Sequence, residues 1–299
     1  MKILINGSHG FIGSAVHKSL EQGGAQLLRL IRQTQIAHSD EVFWNLPDNF
    51  IDHSKLTNLD AVIHLAGENL FGRWNEKKKQ AIHDSRIKST AFLAQTLAAK
   101  EHKPKVLICA SAIGYYGDRG ELECTETTEA GDGFLTTVCR QWEQATLPAS
   151  EAGIRVVNLR FGVVLGKEGG SLAKMLPAFK MGMGGPLGDG QQWVSWVSID
   201  DAVRAVEFSL NHENISGPVN VVSPQPVRNK EFAQAIGHAL HRPEVVPVPK
   251  RMLKFMLGEM ADETVLASTK VLPHKLQTED FQFAYPDLLT ALEVILGKD

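Results

Sequence analysis

The chain has 299 residues, a formal net charge of −3, and 43% hydrophobic against 22% charged residues, the make-up of a globular protein with room for one large α/β domain and a smaller one. Nothing in the charge balance suggests a nucleic acid or an anionic membrane surface as partner, no apolar run is as long as a membrane span, and no cleavable signal precedes the first strand. Three cysteines, Cys109, Cys124 and Cys139, without C-x-x-C spacing argue against a disulfide framework or a metal centre and for a reducing compartment, the cytoplasm.

Lys2 to Ile5 is a short apolar run that reads as a strand. Gly7-Ser8-His9-Gly10-Phe11-Ile12-Gly13 follows, then a helical stretch to Gln22, a Gly23-Gly24 break, and a second apolar run from Gln26 to Ile31. Strand, glycine turn, helix and strand at this spacing describe a βαβ unit that binds a dinucleotide. Gly7 permits the tight turn, Gly10 lets the backbone approach a pyrophosphate, and Gly13 lets helix and strand pack closely. The pyrophosphate would sit at the helix N-terminus, where free N–H groups and the dipole favour an anion. At the end of the second strand, where NAD-binding sites carry an acid for the ribose 2′-OH, this chain has Ile31-Arg32. A guanidinium there pairs with a 2′-phosphate, so the expected cofactor is NADP(H).

Glu41 to Trp44 is a short strand. Asp60 to Leu65 is another, running into Ala66-Gly67-Glu68-Asn69, small residues suited to a close approach of backbone and cofactor. Trp74 to Lys100 has helical periodicity, and Lys105 to Ala110 reads as a buried strand leading into Ser111-Ala112-Ile113-Gly114-Tyr115-Tyr116-Gly117. A helix from Phe134 to Glu151 and a strand from Ile154 to Phe161 come next. Alternating strands and helices predict a Rossmann-type, doubly wound, mostly parallel sheet. Gly169-Gly170 and the run Met181 to Gly190 form a glycine-dense connection with the texture of a flexible wall or lid. Asp200-Asp201 start a helix, Val219 to Ser223 is a strand, Asn229 is the expected cap of a helix to Leu240, and a last helix lies near Leu288 to Leu296. Residues 1–165 form the predicted NADP-binding domain, with 191–223 returning to it. Residues 166–190 and 224–299 make a smaller α/β domain on the substrate side.

The chain resembles the extended, atypical short-chain dehydrogenase/reductase superfamily, and within it the YfcH-like epimerase-family proteins with their small C-terminal domain. The resemblance rests on GSHGFIG (7–13), HLAGEN (64–69), RWNEKKKQAIHDSRIKST (73–90), SAIGYYG (111–117), LRFGVVLG (159–166), GGPLGDGQQWVSWVSIDD (184–201) and EFAQAIGHAL (231–240). It implies NADP(H) bound by Gly7, Ser8, Phe11, Ile12, Arg32, Leu65 and Ala66, with Arg86 at a position that reaches the cofactor. Gly10, Gly13, Ile31 and Gly67 complete the expected cofactor set. The superfamily often dimerises through two helices, so monomer and homodimer both stay open; Lys77, Lys78 and Lys79 weaken an apolar pairing.

The superfamily's chemistry needs a Tyr and a Lys four residues apart on one helix, and a Ser or Thr after the preceding strand. Aligning Glu143 with the glutamate that follows that pair puts Leu135 at the Tyr position and Cys139 at the Lys position. Ala112 falls where the Ser or Thr would be, one residue from Ser111. Neither leucine nor a neutral thiol can replace its counterpart. Tyr115 is the first choice for a substitute acid, with Ser111 beside it, and Tyr116 reads as a packing residue. Glu68 and Asn69 are substrate-side candidates, as are Trp193 and Trp196 for stacking on a sugar or base; Arg73 and Trp74 could grip an anion or ring. Two functions remain: an NADP-dependent oxidoreductase or epimerase-like enzyme acting on an unidentified small molecule, and a non-catalytic NADP(H)-binding sensor. Leu135 and Cys139 argue against an ordinary sugar-nucleotide epimerase.

Overall fold

The computed structural model describes residues 1–32, 38–243 and 246–297. Eight strands form the central sheet: β1 (Lys2–Asn6), β2 (Gln26–Ile31), β3 (Glu41–Asn45), β4 (Phe50–Ile51), β5 (Ala61–His64), β6 (Val106–Ala112), β7 (Arg155–Phe161) and β8 (Gly217–Val221), in the order β8-β7-β6-β5-β1-β2-β3-β4. All neighbours are parallel except β3 and β4. The strand order reverses on either side of β1, which puts the switch point, and the crevice where such sheets bind ligands, at the carboxyl end of β1 and β5.

Side chains alternate across the sheet as strand geometry requires. Ile3 and Ile5 enter one core layer with Val16 of α1 (Phe11–Gln22) and Val206, while Leu4 enters the other with Leu93 and Leu97 of α2 (Glu76–Ala98). Among the described residues, the other helices of eight residues or more are α3 (Phe134–Gln144), α4 (Gly170–Lys180), α5 (Ile199–Asn211), α6 (Asn229–Ala239), α7 (Lys250–Leu257) and α8 (Leu288–Leu296). A third core joins Leu172, Leu176 and Phe179 of α4 to Phe232 and Ile236 of α6 and Leu288 and Leu292 of α8 around Trp196. Among the described residues, no helix is long and apolar enough to cross a membrane.

Three local expectations are corrected. The helix expected to reach Glu151 stops at Gln144; a separate short turn, Leu147–Glu151, carries Pro148 near its start, where the missing proline N–H does no harm. Strand β6 extends through Ala112, so Ser111 lies inside the strand. Asn229 does not cap α6. It is the first helical residue, and its side-chain oxygen accepts from the Leu187 N–H at 2.7 Å, while Glu231 accepts from the N–H of Arg228.

Candidate active site

The site is built from loops that leave the carboxyl ends of β2, β1, β5 and β6. Gly7 sits at φ +88°, and a β-carbon there would lie 2.7 Å from the Ala66 nitrogen. A β-carbon on Gly13 would lie 2.1 Å from the Gly7 oxygen. The turn is thus pressed between α1 and the exit of β5, a fit that glycine alone allows. Gly10 N–H donates to the Gly7 oxygen at 2.9 Å, and Ser14 N–H donates to the Gly10 oxygen at 2.8 Å, so the N–H groups before it in α1, on Phe11, Ile12 and Gly13, precede the helix's own i to i−4 ladder. Ser8 is buried at the turn. These residues suit a pyrophosphate. The Phe11 ring is wedged instead into the loop before α4, where β-carbons on Gly166 and Gly169 would come within 2.5 Å and 2.4 Å of it.

Asn6 and His64 face each other across β1 and β5 below the turn. Asn6 Nδ2 donates to His64 Nδ1 at 2.8 Å; His64 Nε2 lies 3.2 Å from the Ser89 hydroxyl, which itself donates to the Ser85 carbonyl. This arrangement selects a neutral imidazole with its proton on Nε2, and burial pushes the pKa down to about 4. Ile31 is buried at the end of β2, and Arg32 beyond it is exposed, with no ion pair among the described residues.

Beyond β5, Leu65 packs on the core and Ala66 backs the glycine turn. Gly67 lies against Arg86 of α2, whose guanidinium carbon would be 3.1 Å from a β-carbon there. Arg86 Nη1 donates to the carbonyls of Glu68 and Ile82, both at 3.1 Å, and the guanidinium rides 5.1 Å from the Trp142 ring centroid. The Glu68 carboxylate is partly exposed and paired with Lys78 at 2.7 Å, and Asn69 closes a turn by accepting from Phe71 N–H. Arg73 is exposed, while Trp74 donates to the Leu70 carbonyl and packs on Phe134.

Ser111 is buried and donates to Glu143 at 2.7 Å. Glu143 also accepts two bonds from Arg160, each 2.8 Å, in a buried bidentate pair. Burial works against the Arg160 charge, and the bonds to Glu143 outweigh it, holding the guanidinium above its ordinary pKa. Arg160 also donates to the hydroxyl of Tyr116, a fully buried residue hydrogen-bonded to Asn220 and Thr125, whose pKa burial pushes up to about 12. Tyr115 differs from its neighbour. It is half-buried, its ring lies on the Arg160 guanidinium at 3.5 Å, and its hydroxyl makes no hydrogen bond among the described residues.

Leu135 and Cys139 both face Gly114, whose β-carbon would be 3.4 Å from Leu135 and 3.7 Å from Cys139 Sγ. Burial pushes the Cys139 thiol up to about 12, so no thiolate stands there. A cleft of about 270 Å³ opens between Gly114, Gly117 and Asp118, the first turn of α3, and Lys250, Asp262, Glu263 and Leu266. Glu263 accepts from the N–H groups of Phe134 and Leu135, both at 2.7 Å, and so caps α3 from the far end of the chain.

The two tryptophans part company. Trp196 is 0% exposed, donates to the Gln225 carbonyl and centres the third core, so it cannot stack on a ligand. Trp193 is held between Arg228 and Lys270, with ring distances of 4.0 Å and 4.6 Å, and donates to Glu121. Sequence reasoning missed Arg160, Glu143 as its partner, and Glu263. Arg160 carried a readable signal, since a charge inside an apolar strand requires a partner; Glu263 carried none.

A profile described as the NAD dependent epimerase/dehydratase family matches residues 3–222, and one described as a domain of unknown function (DUF1731) matches residues 248–295. The epimerase family protein ML0860 of Mycobacterium leprae is 40% identical over 291 residues, covering 97% of this chain and 94% of the relative. YfhF of Bacillus subtilis is 37% identical, covering 99% of this chain and 98% of its own. The human epimerase family protein SDR39U1, solved with NADPH, superposes with a TM-score of 0.91 at 30% identity over 99% of both chains. The chain belongs to the NAD dependent epimerase/dehydratase family.

Proposed function

We propose that the chain binds NADP(H) and uses it for reversible hydride transfer at a carbinol or carbonyl carbon of a small molecule, as an oxidoreductase or an epimerase. The observation that carries this reading is the pairing of a glycine turn that excludes any side chain at Gly7 and Gly13 with an exposed arginine at the end of β2. Arg32 meets a 2′-phosphate, and the first turn of α1 takes the pyrophosphate. The NADPH of the human relative supports the same choice. When bound, the cofactor accepts or supplies the hydride.

Tyr115 moves the proton. Its hydroxyl is uncommitted and its ring is fixed by Arg160, whereas Ser111 is engaged by Glu143 and acts by holding that network. The substrate enters the cleft beside Gly114. The non-catalytic sensor keeps one specific observation in its favour: Leu135 and a neutral Cys139 occupy the places of the usual proton machinery.

Turnover of NADPH against a panel of aldehydes, ketones and sugar nucleotides separates the two. The enzyme reading expects Tyr115→Phe to lower kcat by about 100-fold or more with NADPH affinity unchanged. No turnover across the panel, with intact NADPH binding, contradicts it in favour of the sensor.

A further inference from the structure

We propose that the face formed by α7, the end of α4 and the loop after β5 docks on the surface of an anionic lipid bilayer.

The first argument is where the exposed apolar side chains gather. Phe71, Met181, Met183, Met252, Phe255 and Met256 are all exposed large hydrophobics. Met252, Phe255 and Met256 stand at i, i+3 and i+4 of α7 and share one side of it, while Leu253 is buried on the other. Contacts between the three segments hold these side chains in one neighbourhood. Val246, ahead of α7, donates its N–H to the Gly184 carbonyl beside Met183. Gly72 N–H donates to Met260 Sδ at 3.4 Å, and Lys174 of α4 lies 4.3 Å from the Phe71 ring centroid. Apolar side chains scattered singly need no explanation, but a group of this extent marks a place of attachment.

The second argument is the charge around them. Arg73, Lys174, Lys180, Lys250 and Arg251 are exposed on the same segments and have no carboxylate partner among the described residues. The acids within residues 65–75, 170–187 and 246–266 are all engaged. Glu68 pairs with Lys78 at 2.7 Å, Glu259 with Lys79, and Asp262 with Lys254 at 2.7 Å, while Glu263 caps α3. The face is therefore basic in a chain whose net charge is −3, an asymmetry that the total conceals.

The third argument selects the occupant. A second copy meeting this face across a two-fold axis would set the cations of one chain against the same cations of the other. Phe255 is 79% exposed and stands out of the surface rather than lining a groove, so it suits a medium without a shape of its own. Methionines adapt to such a medium readily. Protruding Phe and Met with Lys and Arg beside them match the boundary between acyl chains and anionic headgroups.

Co-sedimentation of the full chain with vesicles tests this, using phosphatidylcholine and phosphatidylglycerol in equal parts against phosphatidylcholine alone. At low salt, binding to the mixed vesicles should be at least about 10-fold stronger, and raising the salt to about 0.5 M should remove that advantage. The double variant Met252→Ser, Phe255→Ser should lose about 10-fold or more. Arg251→Glu should lose at least about 5-fold, the worth of one basic residue at such a surface, and carries the test if the serine variant does not fold. Leu147→Ser, in the exposed short turn after α3, should bind as the wild type does. Absence of binding to the mixed vesicles overturns the proposal, as does equal binding to both kinds or wild-type binding by both the serine and the Arg251→Glu variants. A dimer in analytical ultracentrifugation that Phe255→Ser dissociates, with no vesicle binding, also overturns it and gives the face to a second copy.

Discussion

Gly13→Ala abolishes NADPH binding in calorimetry and lowers the melting temperature by about 3–5 °C, the shift expected of overpacking worth about 2–3 kcal/mol in a chain of this size. The added carbon would stand 2.1 Å from the Gly7 oxygen, far inside contact distance. Relief would require the turn to move, and it has nowhere to go. Gly7 is already so close to Ala66 that its own β-carbon would lie 2.7 Å from the backbone there, at a φ of +88° that few other residues adopt. Strain at Gly13 therefore passes into β5 or forces α1 away from the sheet, and either movement dismantles the N–H groups that would hold the pyrophosphate. Gly23→Ala, at the other end of the same helix, is the control. Its β-carbon meets nothing nearer than 3.4 Å at a negative φ, so stability should change by no more than about 0.5 kcal/mol. If Gly13→Ala binds NADPH like the wild type, the turn is not the cofactor's seat.

Arg160→Leu destabilises the fold by about 3–5 kcal/mol, because it leaves a buried carboxylate without its partner. Arg160 and Glu143 have side chains only 3% and 13% exposed, so water cannot replace the lost bonds. The loss spreads: Tyr116 gives up one of its partners, Tyr115 loses the guanidinium under its ring, and Ser111 is left bonded to an unpaired acid. Chemical denaturation followed by far-ultraviolet circular dichroism measures it. The double variant Arg160→Leu, Glu143→Leu should recover much of the loss, since removing both charges removes the unpaired one. A single variant as stable as wild type would show that water reaches the pair.

Seven of the eight strands could be read from the sequence because each is a short, largely apolar run, with α1, α2, α3 and α5 lying between such runs; β4, two residues long, carries too little pattern to be seen. The glycine turn was legible because its spacing has a steric cause, the close approach of Gly7, Gly13 and Ala66. Asn229 misled because a good capping residue also makes a good acceptor for a distant loop, and the Leu187 N–H took it. Trp193 and Trp196 are three residues apart in a glycine-rich region, and local pattern cannot say that one is sealed in a core and the other clasped by Arg228 and Lys270. Glu263 was invisible for a more basic reason. It caps α3 across 128 residues of chain, and no local rule links a carboxylate to helix N–H groups so far away in sequence.

The central claim is that Arg32 and the glycine turn select a 2′-phosphorylated dinucleotide. It is tested most directly by titrating wild type and Arg32→Ala with NADPH and NADH in parallel calorimetric runs at one salt concentration. Wild type should bind NADPH at one site per chain and more tightly than NADH. Arg32→Ala should lose about 10- to 100-fold for NADPH, as expected for a charge-assisted phosphate contact, and almost nothing for NADH. Equal losses for the two dinucleotides, or no binding of either to the wild type, would contradict the account.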